Sequence, residues 1–377
     1  MLTIIKNELK SFEDLARNFA TKELMPNRRT NDRYPFGTFY DEVLTKANDV
    51  GLFGVTLPED CGGIGQGIAA LSVILENLSA VDASLAGIIF TNVMAQEIMF
   101  SAGGKNFLCN IVGHNTDVRT ALIAFQVYLN PAEIKPSLEA IKNKDGYMLN
   151  GKIEYVVLGG IARHALVPAY IKGNDGYTFF LIDLTDKGLT KSEPIFSLGL
   201  HACPAVDLTL VNTRATLIGK EGDGARHFEQ ASDRMCSAVA AMQCGIMKGA
   251  FQEALSYSQE RFQGGWEIIN WSALRMLLAN MAVQVKIAEM VVAATALAVE
   301  QQHPQWEKSA RAAALHLSEL ACKLTTDGIQ VLGGNGYMKD YGQEKRFRDA
   351  KQVQALLGLV PMRKLNMIGA VINPKMQ

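Results

Sequence analysis

The amino-acid sequence predicts an α+β protein with a helical N-terminal domain, a middle antiparallel β domain and a C-terminal four-helix bundle. Two periodicities support this prediction. Apolar residues recur at helical spacing in the first and last thirds of the 377-residue chain, whereas short β-branched and aromatic runs fill the middle. We place the three domains at residues 1–117, 118–222 and 223–377.

The N-terminal domain is predicted to be mainly helical. Its first apolar run has a period of three or four residues and is ended by a proline, with Leu9, Phe12, Leu15 and Phe19 followed by Pro26. The stretch TLPEDCGGIGQG at 56–67 is a turn-rich loop whose glycines lack the spacing of a phosphate-binding loop. The apolar segment at 70–100 predicts one or two buried helices.

The middle domain consists of short predicted strands. Turns of the type NG, GNDG and DKG separate several of them, which is typical of an antiparallel sandwich or barrel. The strands lie in ALIAFQVYL at 121–129, GYMLNGKIEYVVLGG at 146–160, HALVPAYI at 164–171, GYTFFLIDL at 176–184 and VDLTLVNT at 206–213.

The C-terminal domain is predicted from two long segments rich in alanine, methionine and leucine, at 232–262 and 271–302. Helices that are apolar over so much of their circumference pack against several neighbours. We therefore expect a four-helix bundle that is buried further in an oligomer.

Composition excludes several classes of function. Apolar residues make up 48% of the chain and the net charge is -1, so we expect neither a nucleic-acid interface nor attraction to an anionic membrane. No uninterrupted apolar run approaches the roughly 20 residues of a membrane helix, so we expect no membrane span. The six histidines are dispersed without a paired motif, and no metal site is predicted.

The cysteines favour a reducing compartment. All six are scattered without a CxxC pair, and we expect free, mostly buried thiols in a cytoplasmic protein. They are Cys61, Cys109, Cys203, Cys236, Cys244 and Cys322.

Five motifs, taken in order along the chain, resemble those of the acyl-CoA dehydrogenase superfamily. They are GLFGVTLPEDCGGIG at 51–65, YMLNGKIEYVVLGG at 147–160, QERFQGG at 259–265, DGIQVLGGNGY at 327–337 and EKRFRDAK at 344–351. The resemblance covers essentially the whole chain and implies the family's fold, which is the α+β order of domains predicted above.

The resemblance implies an oxidoreductase acting on CH–CH groups. Such enzymes bind FAD between the β domain and the bundle, with a neighbouring subunit contributing, and oxidise the Cα–Cβ bond of an acyl thioester. A glutamate of raised pKa removes the α proton while hydride leaves for the flavin. The implied partners are an acyl thioester, carried by CoA or a carrier protein, and further subunits in a homo- or hetero-oligomeric dimer or tetramer.

The family's catalytic glutamate has no counterpart in this sequence. Alignment from RDAK places Leu357 at the usual base position and Met235 at the alternative one, and both, with Gly358, are expected to line the substrate pocket. Asp233 is a weak candidate for the base. It lies two residues, about 200° of helix rotation, from Met235, so we expect a solvated or capping aspartate there.

The expected flavin contacts divide into two groups. Around the ring, Phe125 replaces a threonine, Tyr155 a tryptophan and Val157 a hydroxyl residue, although the two aromatic side chains could stack on a ring. At the diphosphate and adenosine end the family's residues are present, namely Arg261, Gln330, Gly333 and Gly334. The sequence therefore does not decide whether the chain binds FAD.

Three functions remain in competition. The chain could be an atypical flavoenzyme that takes its base from an unrecognised carboxylate or from the substrate. It could be a non-catalytic, flavin-poor subunit of a hetero-oligomeric acyl-CoA dehydrogenase. It could also be a flavin-free thioester dehydratase or cyclase that uses His201 and Cys203, which would share one face of a strand. Cys236 is expected to be a buried neutral thiol.

Overall fold

The computed structural model describes residues 2–112, 117–144 and 146–372. Helices form its first part: α1 (Leu2–Phe19), α2 (Arg28–Asn31), α3 (Leu44–Asp49), α4 (Ile68–Ser79), α5 (Ala83–Ser101), α6 (Lys105–Val112) and α7 (Val118–Ala121). The apolar segment at 70–100 forms two helices: the first ends at Ser79, and Asp82 caps the second by accepting the Ser84 N–H at 2.9 Å. Helix α5 is apolar on all sides and buried along almost its whole length.

The middle of the chain forms a closed barrel. Its strands are β1 (Ile123–Ala124), β2 (Glu139–Asn143), β3 (Gly146–Val157), β4 (His164–Ile171), β5 (Tyr177–Asp183), β6 (Leu189–Lys191) and β7 (Ala205–Ile218). Strands β4, β2, β3, β7 and β5 pair in that order, and β5 pairs back onto β4, which closes the ring.

Two parallel pairings depart from the predicted antiparallel sheet. Strands β1 and β2 both run parallel to β4 and pair with its beginning and its end, respectively. They therefore act as one interrupted strand along the same edge. The interruption at 125–138 leaves the sheet as a loop, and this loop reaches the bundle.

The last part of the chain is helical, as predicted. It contains α8 (Gly224–Glu260), a hairpin of β8 (Phe262–Gln263) and β9 (Trp266–Glu267), α9 (Ser272–Glu300), α10 (Trp306–Leu332), α11 (Gln343–Gln354) and α12 (Val360–Ile372). Helices α8, α9, α10 and α11 pack on one another as the four-helix bundle, and α12 packs on α10 from outside. Helix α8 also contacts α4 and α5, which joins the bundle to the N-terminal helices.

Two of the described helices are long and apolar enough to cross a membrane, α5 and α9. Helix α5 is a core helix, since 94% of its most apolar window is buried. Helix α9 is 33% buried in the corresponding window and exposes an apolar face that includes Met276 and Met290. Lys286 and Glu289 interrupt that helix with charge.

The expectation of six free cysteines was wrong for one pair. Cys61 lies within the loop at 56–67, and Cys109 lies on α6, which packs against that loop. The two Cα atoms lie 4.6 Å apart and the sulfurs form a disulfide, although 48 residues separate them in sequence. The other four cysteines are buried free thiols, as expected.

A buried charge cluster joins the three regions. The ammonium of Lys345, on α11, lies 2.9 Å from Asp82 and 2.6 Å from Asp349. Burial disfavours this cation, but the surrounding carboxylates outweigh it and raise the pKa of Lys345. Asp349 also accepts the Leu200 N–H at 2.8 Å, and Asp32 accepts from Arg348 at 2.7 Å.

His201 provides a pH-dependent contact in this cluster. Its Nδ1 lies 3.2 Å from Asp32, and that hydrogen bond raises the pKa of His201 above its ordinary value of 6.5. The folded chain therefore holds the proton more tightly than the unfolded chain does. We expect the contribution of His201 to the free energy of unfolding to be fully present below pH 6.5 and to fall as pH rises through the folded pKa.

The measurement is urea unfolding at a series of pH values between about 5.5 and 8.5, around the unperturbed pKa of histidine. The His201→Asn variant should flatten the profile, whereas His316→Asn, at an exposed position of α10, should leave the slope unchanged. Identical slopes for wild type and His201→Asn would contradict this assignment.

Candidate functional site

The main cavity lies where the loop at 125–138 meets the bundle. It has a volume of about 860 Å³, within the range of small-molecule sites. Its walls come from the start of α8, the start of α10, α12 and the segment before α12. They include Asn130, Ala132, Phe228, Asp233, Cys236, Lys308, Arg311, Leu357 and Arg363.

Leu357, which the sequence predicts at the position of the family's base, lies in the cavity wall. Its side chain is 2% exposed, and its φ of 69° places the backbone in the left-handed region. Its N–H donates to the carbonyl oxygen of Val127 at 2.8 Å. The loop after β1 therefore holds this segment in place by a backbone contact, and the side chain offers no proton acceptor.

Gly358 lies beside Leu357 but is not a wall of the cavity. It is buried, with a φ of 107°, and a Cβ at this position would lie 3.0 Å from Oε2 of Glu133. The close approach and the positive φ both require glycine.

Met235, at the predicted alternative base position, offers no group that could act as a base. Met235 is fully buried on the inner side of α8, and at this turn the cavity is lined by Ser232, Asp233 and Cys236 instead. Met235 was expected to line the cavity but does not, and these three residues line it instead.

Asp233 is neither solvated nor a helix cap, contrary to our expectation. It is buried and paired with Arg311, with Oδ1 at 2.5 Å from Nε and Oδ2 at 2.8 Å from Nη2. Burial raises the pKa of Asp233, and the guanidinium opposes that shift. Both carboxylate oxygens are occupied, so the group would have to break a bidentate ion pair before it could accept a proton.

The structure also places the two neighbours of Met235 on α8, Cys236 and Arg234. Cys236 is a buried neutral thiol, as expected, because burial raises its pKa to about 11. The guanidinium of Arg234 donates to Glu97 at 2.8 Å and is not a wall of the cavity.

The three ring-contact positions do not form one surface. Phe125 is 1% exposed, and its ring centroid lies 6.5 Å from that of Phe228 on α8. Val157 is fully buried and exchanges two backbone hydrogen bonds of 3.0 Å with Phe125. Tyr155 is 40% exposed, and its N–H donates to Asp207 at 3.1 Å.

These residues do not fit an isoalloxazine. Two of the three positions are filled by the protein's own core, and neither Phe125 nor Val157 has a side-chain donor for a polar ring edge. Only Tyr155 has a ring face near solvent.

The diphosphate and adenosine positions, in contrast, come together. Arg261, Gln330 and Gly333 line a second groove of about 420 Å³ between the end of α8 and the end of α10. Gly333 has a φ of 58°, and the adjacent Gly334 has no atom within 4 Å of an added Cβ. A cation, an amide and an open glycine turn fit a phosphate-bearing group.

The proposed His201 and Cys203 pair is not a dyad on a strand. Both residues lie in the turn before β7. His201 is bound to Asp32, and Cys203 is packed against Gly87, where burial raises the pKa of its thiol. The residues that would carry a flavin-free dehydratase mechanism therefore hold the fold together.

Sequence reasoning missed two charged residues beside Leu357. Oε2 of Glu133 accepts the Leu359 N–H at 2.9 Å, and Arg363 donates from Nη1 to the carbonyl of Leu356 at 3.0 Å. Glu133 immediately follows the loop aligned with the family's flavin motif, and Arg363 lies six residues after the base position. Neither matches a family motif, so only the folded structure places them here. No cluster of three or more potential metal ligands occurs among the described residues.

Comparisons with known proteins agree with this architecture. Residues 6–106 match the family model for the acyl-CoA dehydrogenase N-terminal domain, and residues 222–369 match that for the C-terminal domain. Cyclohex-1-ene-1-carbonyl-CoA dehydrogenase of Geobacter metallireducens is 27% identical over 365 residues, covering 94% of this chain and 95% of that protein.

Two further similarities extend over the whole chain. CarC of Acetobacterium woodii, a subunit of a caffeyl-CoA reductase–Etf complex, is 24% identical over 97% of this chain and 98% of its own. The solved structure of butyryl-CoA dehydrogenase from Megasphaera elsdenii has a TM-score of 0.85 and 26% identity, covering 97% of this chain and 98% of that one. The chain belongs to the acyl-CoA dehydrogenase family.

Proposed function

We propose that this chain binds an acyl thioester in the main cavity, does not itself dehydrogenate it, and serves as a flavin-poor subunit beside a catalytic partner. The observation that carries the proposal is Leu357. A leucine lies at the base position, and its backbone is bound to Val127, so no proton acceptor enters from this segment.

The missing base bears directly on the reaction. The α-CH of a thioester is a poor acid, so its removal requires a carboxylate in hydrogen-bond reach. A positioned base contributes about 10²–10⁴ to the rate of such a step. Two carboxylates line the α8 side of the cavity, Glu229 and Asp233, and both are paired with Arg311.

Weak flavin retention follows from the ring positions. Phe125 and Val157 replace hydrogen-bonding residues, and each such bond contributes about 0.5–1.5 kcal/mol net. Loss of two or three of them weakens binding by roughly one to three orders of magnitude. Packing of Phe125 against Phe228 also fills space between the β domain and the bundle.

The groove around Arg261 gives the chain a role toward another subunit. In the family, the arginine at this position reaches the diphosphate of a flavin across the subunit interface. Arg261 is exposed, and no carboxylate in the described part of the chain lies within ion-pair distance of it. The chain can therefore support a partner's flavin while its own ring positions are closed.

The exposed face of α9 is the surface that we assign to this assembly. Met276, Val283, Ile287 and Met290 are each between 44% and 65% exposed, and their spacing places them on one side of the helix. The hairpin that leads into α9 adds Trp266, which is 61% exposed. An apolar face of this length is typical of an oligomer interface.

The first test is the absorbance spectrum of the protein purified alone. We expect no flavin absorbance, weak binding in a titration with FAD, and no bleaching when octanoyl-CoA is added, because ring contacts and base are both missing. Binding of octanoyl-CoA itself, measured by calorimetry, should be retained. Stoichiometric flavin that octanoyl-CoA reduces would contradict the proposal.

The second test concerns the groove. The chain is co-expressed with a paralogue from its own genome that retains the glutamate, and flavin retained by the complex is measured. Arg261→Gln should weaken retention about ten- to hundredfold, because it removes a charged hydrogen bond worth about 1.5–3 kcal/mol. Arg275→Gln, at an exposed position of α9 outside the groove, is the matched control. Equal retention in both variants would exclude a role in trans.

A second candidate function is favoured by one observation, the carboxylate of Glu133 beside the segment that contains Leu357. A flavoenzyme could take its base from this residue, which accepts a hydrogen bond from Leu359 at 2.9 Å. The residue also has a structural role, since that bond fixes the entry into α12.

The two candidate functions predict different activities for the Glu133→Gln variant. The amide oxygen can still accept the Leu359 N–H, so the fold should be kept. If Glu133 is the base, turnover of octanoyl-CoA should fall by about 10²–10⁴. Under our main proposal neither wild type nor variant turns over. Glu139→Gln, exposed on β2, is the control for loss of a carboxylate.

A further inference from the structure

The disulfide between Cys61 and Cys109 is the place where thiol chemistry can reach this chain from solution. Cys109 is partly exposed on α6, whereas Cys61 is 1% exposed in the loop at 56–67. The four free thiols are all buried, and a buried thiol in apolar surroundings is inert toward a redox partner in solution. Thiol–disulfide exchange therefore has its entry point at the Cys109 sulfur.

The loop that carries Cys61 is fixed without the help of the disulfide. The N–H of Gly65 donates to the carbonyl oxygen of Leu57 at 2.8 Å. The N–H of Ile64 donates to the carbonyl oxygen of Gly54 at 2.9 Å. These backbone bonds close the loop on itself and involve neither sulfur, so the loop should keep its shape when the disulfide is opened.

Helix α6, which carries Cys109, is held less securely. It has eight residues, and a helix of this length is not stable in water without tertiary contacts. Its buried side chains are Leu108 and Val112. The ion pair from Lys105 to Asp60 in the loop is 2.8 Å long but exposed at both partners, so it contributes little. The disulfide is therefore the strongest link between α6 and the loop.

Lys105 also favours exchange at this disulfide. It lies one turn before Cys109 on α6, and its ion pair places the ammonium at Asp60, which precedes Cys61 in sequence. A nearby cation stabilises the thiolate that leaves when a disulfide is attacked. An accessible sulfur with a cation beside it is typical of a labile disulfide, whereas a structural disulfide resists reduction.

We propose that the disulfide of Cys61 and Cys109 is a reversible redox switch, which orders α6 when it is oxidised and releases α6 when it is reduced. The reductant is a small thiol such as glutathione. The switch is independent of the proposed function, because neither cysteine lines the main cavity or the groove.

The reduction proceeds by two exchanges. The thiolate of a first glutathione attacks the Cys109 sulfur, forms a mixed disulfide with it and displaces the Cys61 thiolate, which takes up a proton. The thiolate of a second glutathione attacks the sulfur of the bound glutathione and releases Cys109, which also takes up a proton. Two electrons pass from glutathione to the protein, and the products are two protein thiols and glutathione disulfide. Glutathione disulfide reverses both steps.

The redox equilibrium is measured on the full chain in mixtures of reduced and oxidised glutathione. Free thiols are then alkylated in the folded protein and located by mass spectrometry. We expect the disulfide fraction to rise with the oxidised share of glutathione, and the label to appear at Cys61 and Cys109. A disulfide that persists in every mixture would be structural and would overturn the proposal. Free thiols at both positions in every mixture would overturn it as well.

The effect on α6 is measured by hydrogen–deuterium exchange in the oxidised and the reduced protein. The amides of α6 should exchange at least about tenfold faster after reduction, because the helix can then open locally. The amides of α5, which is buried in the core, should exchange at the same rate in both states. Equal exchange of α6 in the two states would show that the disulfide does not order this helix, and the proposal would fail.

Two variants assign the response to this pair. Cys109→Ser cannot form the bond, so its α6 should exchange quickly even in oxidised glutathione. Cys322→Ser removes a buried free thiol on α10 and should respond to glutathione as the wild type does. An α6 that still responds to glutathione in Cys109→Ser would contradict the assignment. If Cys109→Ser does not fold, the comparison of oxidised and reduced wild type decides the proposal.

Discussion

The position of the site depends on the ion pairs of the buried Lys345 ammonium. A buried charge is tolerated only when it is paired, and Lys345 is paired with Asp82, which caps α5, and with Asp349 on its own helix. Asp349 also binds the backbone of Leu200 at 2.8 Å. Helix α11 is therefore held against both the N-terminal helices and the turn before β7. Leu357 follows the end of that helix by three residues, so its location is fixed by a structural charge cluster and not by any chemistry at residue 357.

The charge cluster explains why the motif EKRFRDAK is present although Leu357 offers no proton acceptor. Within EKRFRDAK, Arg346 binds Glu253, and Arg348 binds Asp32 at 2.7 Å and Glu344 at 2.6 Å. The contact with Asp32 joins the bundle to the N-terminal region, and the contacts with Glu253 and Glu344 lie within the bundle. Leu357 takes part in none of these contacts, so the side chain at this position can differ without disturbing them. A match to such a motif is strong support for the fold and weak support for the activity.

The sequence predicted the features that depend on neighbouring residues. Helix α5 follows from its continuous apolar run, and α8 follows from its apolar periodicity. The sequence predicted a sandwich or a barrel, but it could not decide between them or predict the parallel pairing of β1 and β2 with β4, because both depend on strands that meet only after folding. The same is true of Cys61 with Cys109, and of Glu133 with Leu359, which are 226 residues apart. The role of Asp233 was misjudged because Arg311, its partner, lies on a different helix.

The two ends of the expected flavin site differ in a way that bears on assembly. In a symmetric homo-oligomer both ends serve the same kind of flavin, so closing the ring positions with Phe125 would leave the groove without a purpose. Local folding explains Gly333, whose φ of 58° suits glycine, but it does not explain an exposed Arg261 that lacks an ion pair in the described part of the chain. The proposed asymmetric assembly would account for this difference, because the groove would then serve the flavin of another subunit while the ring positions of this chain are filled by its own side chains.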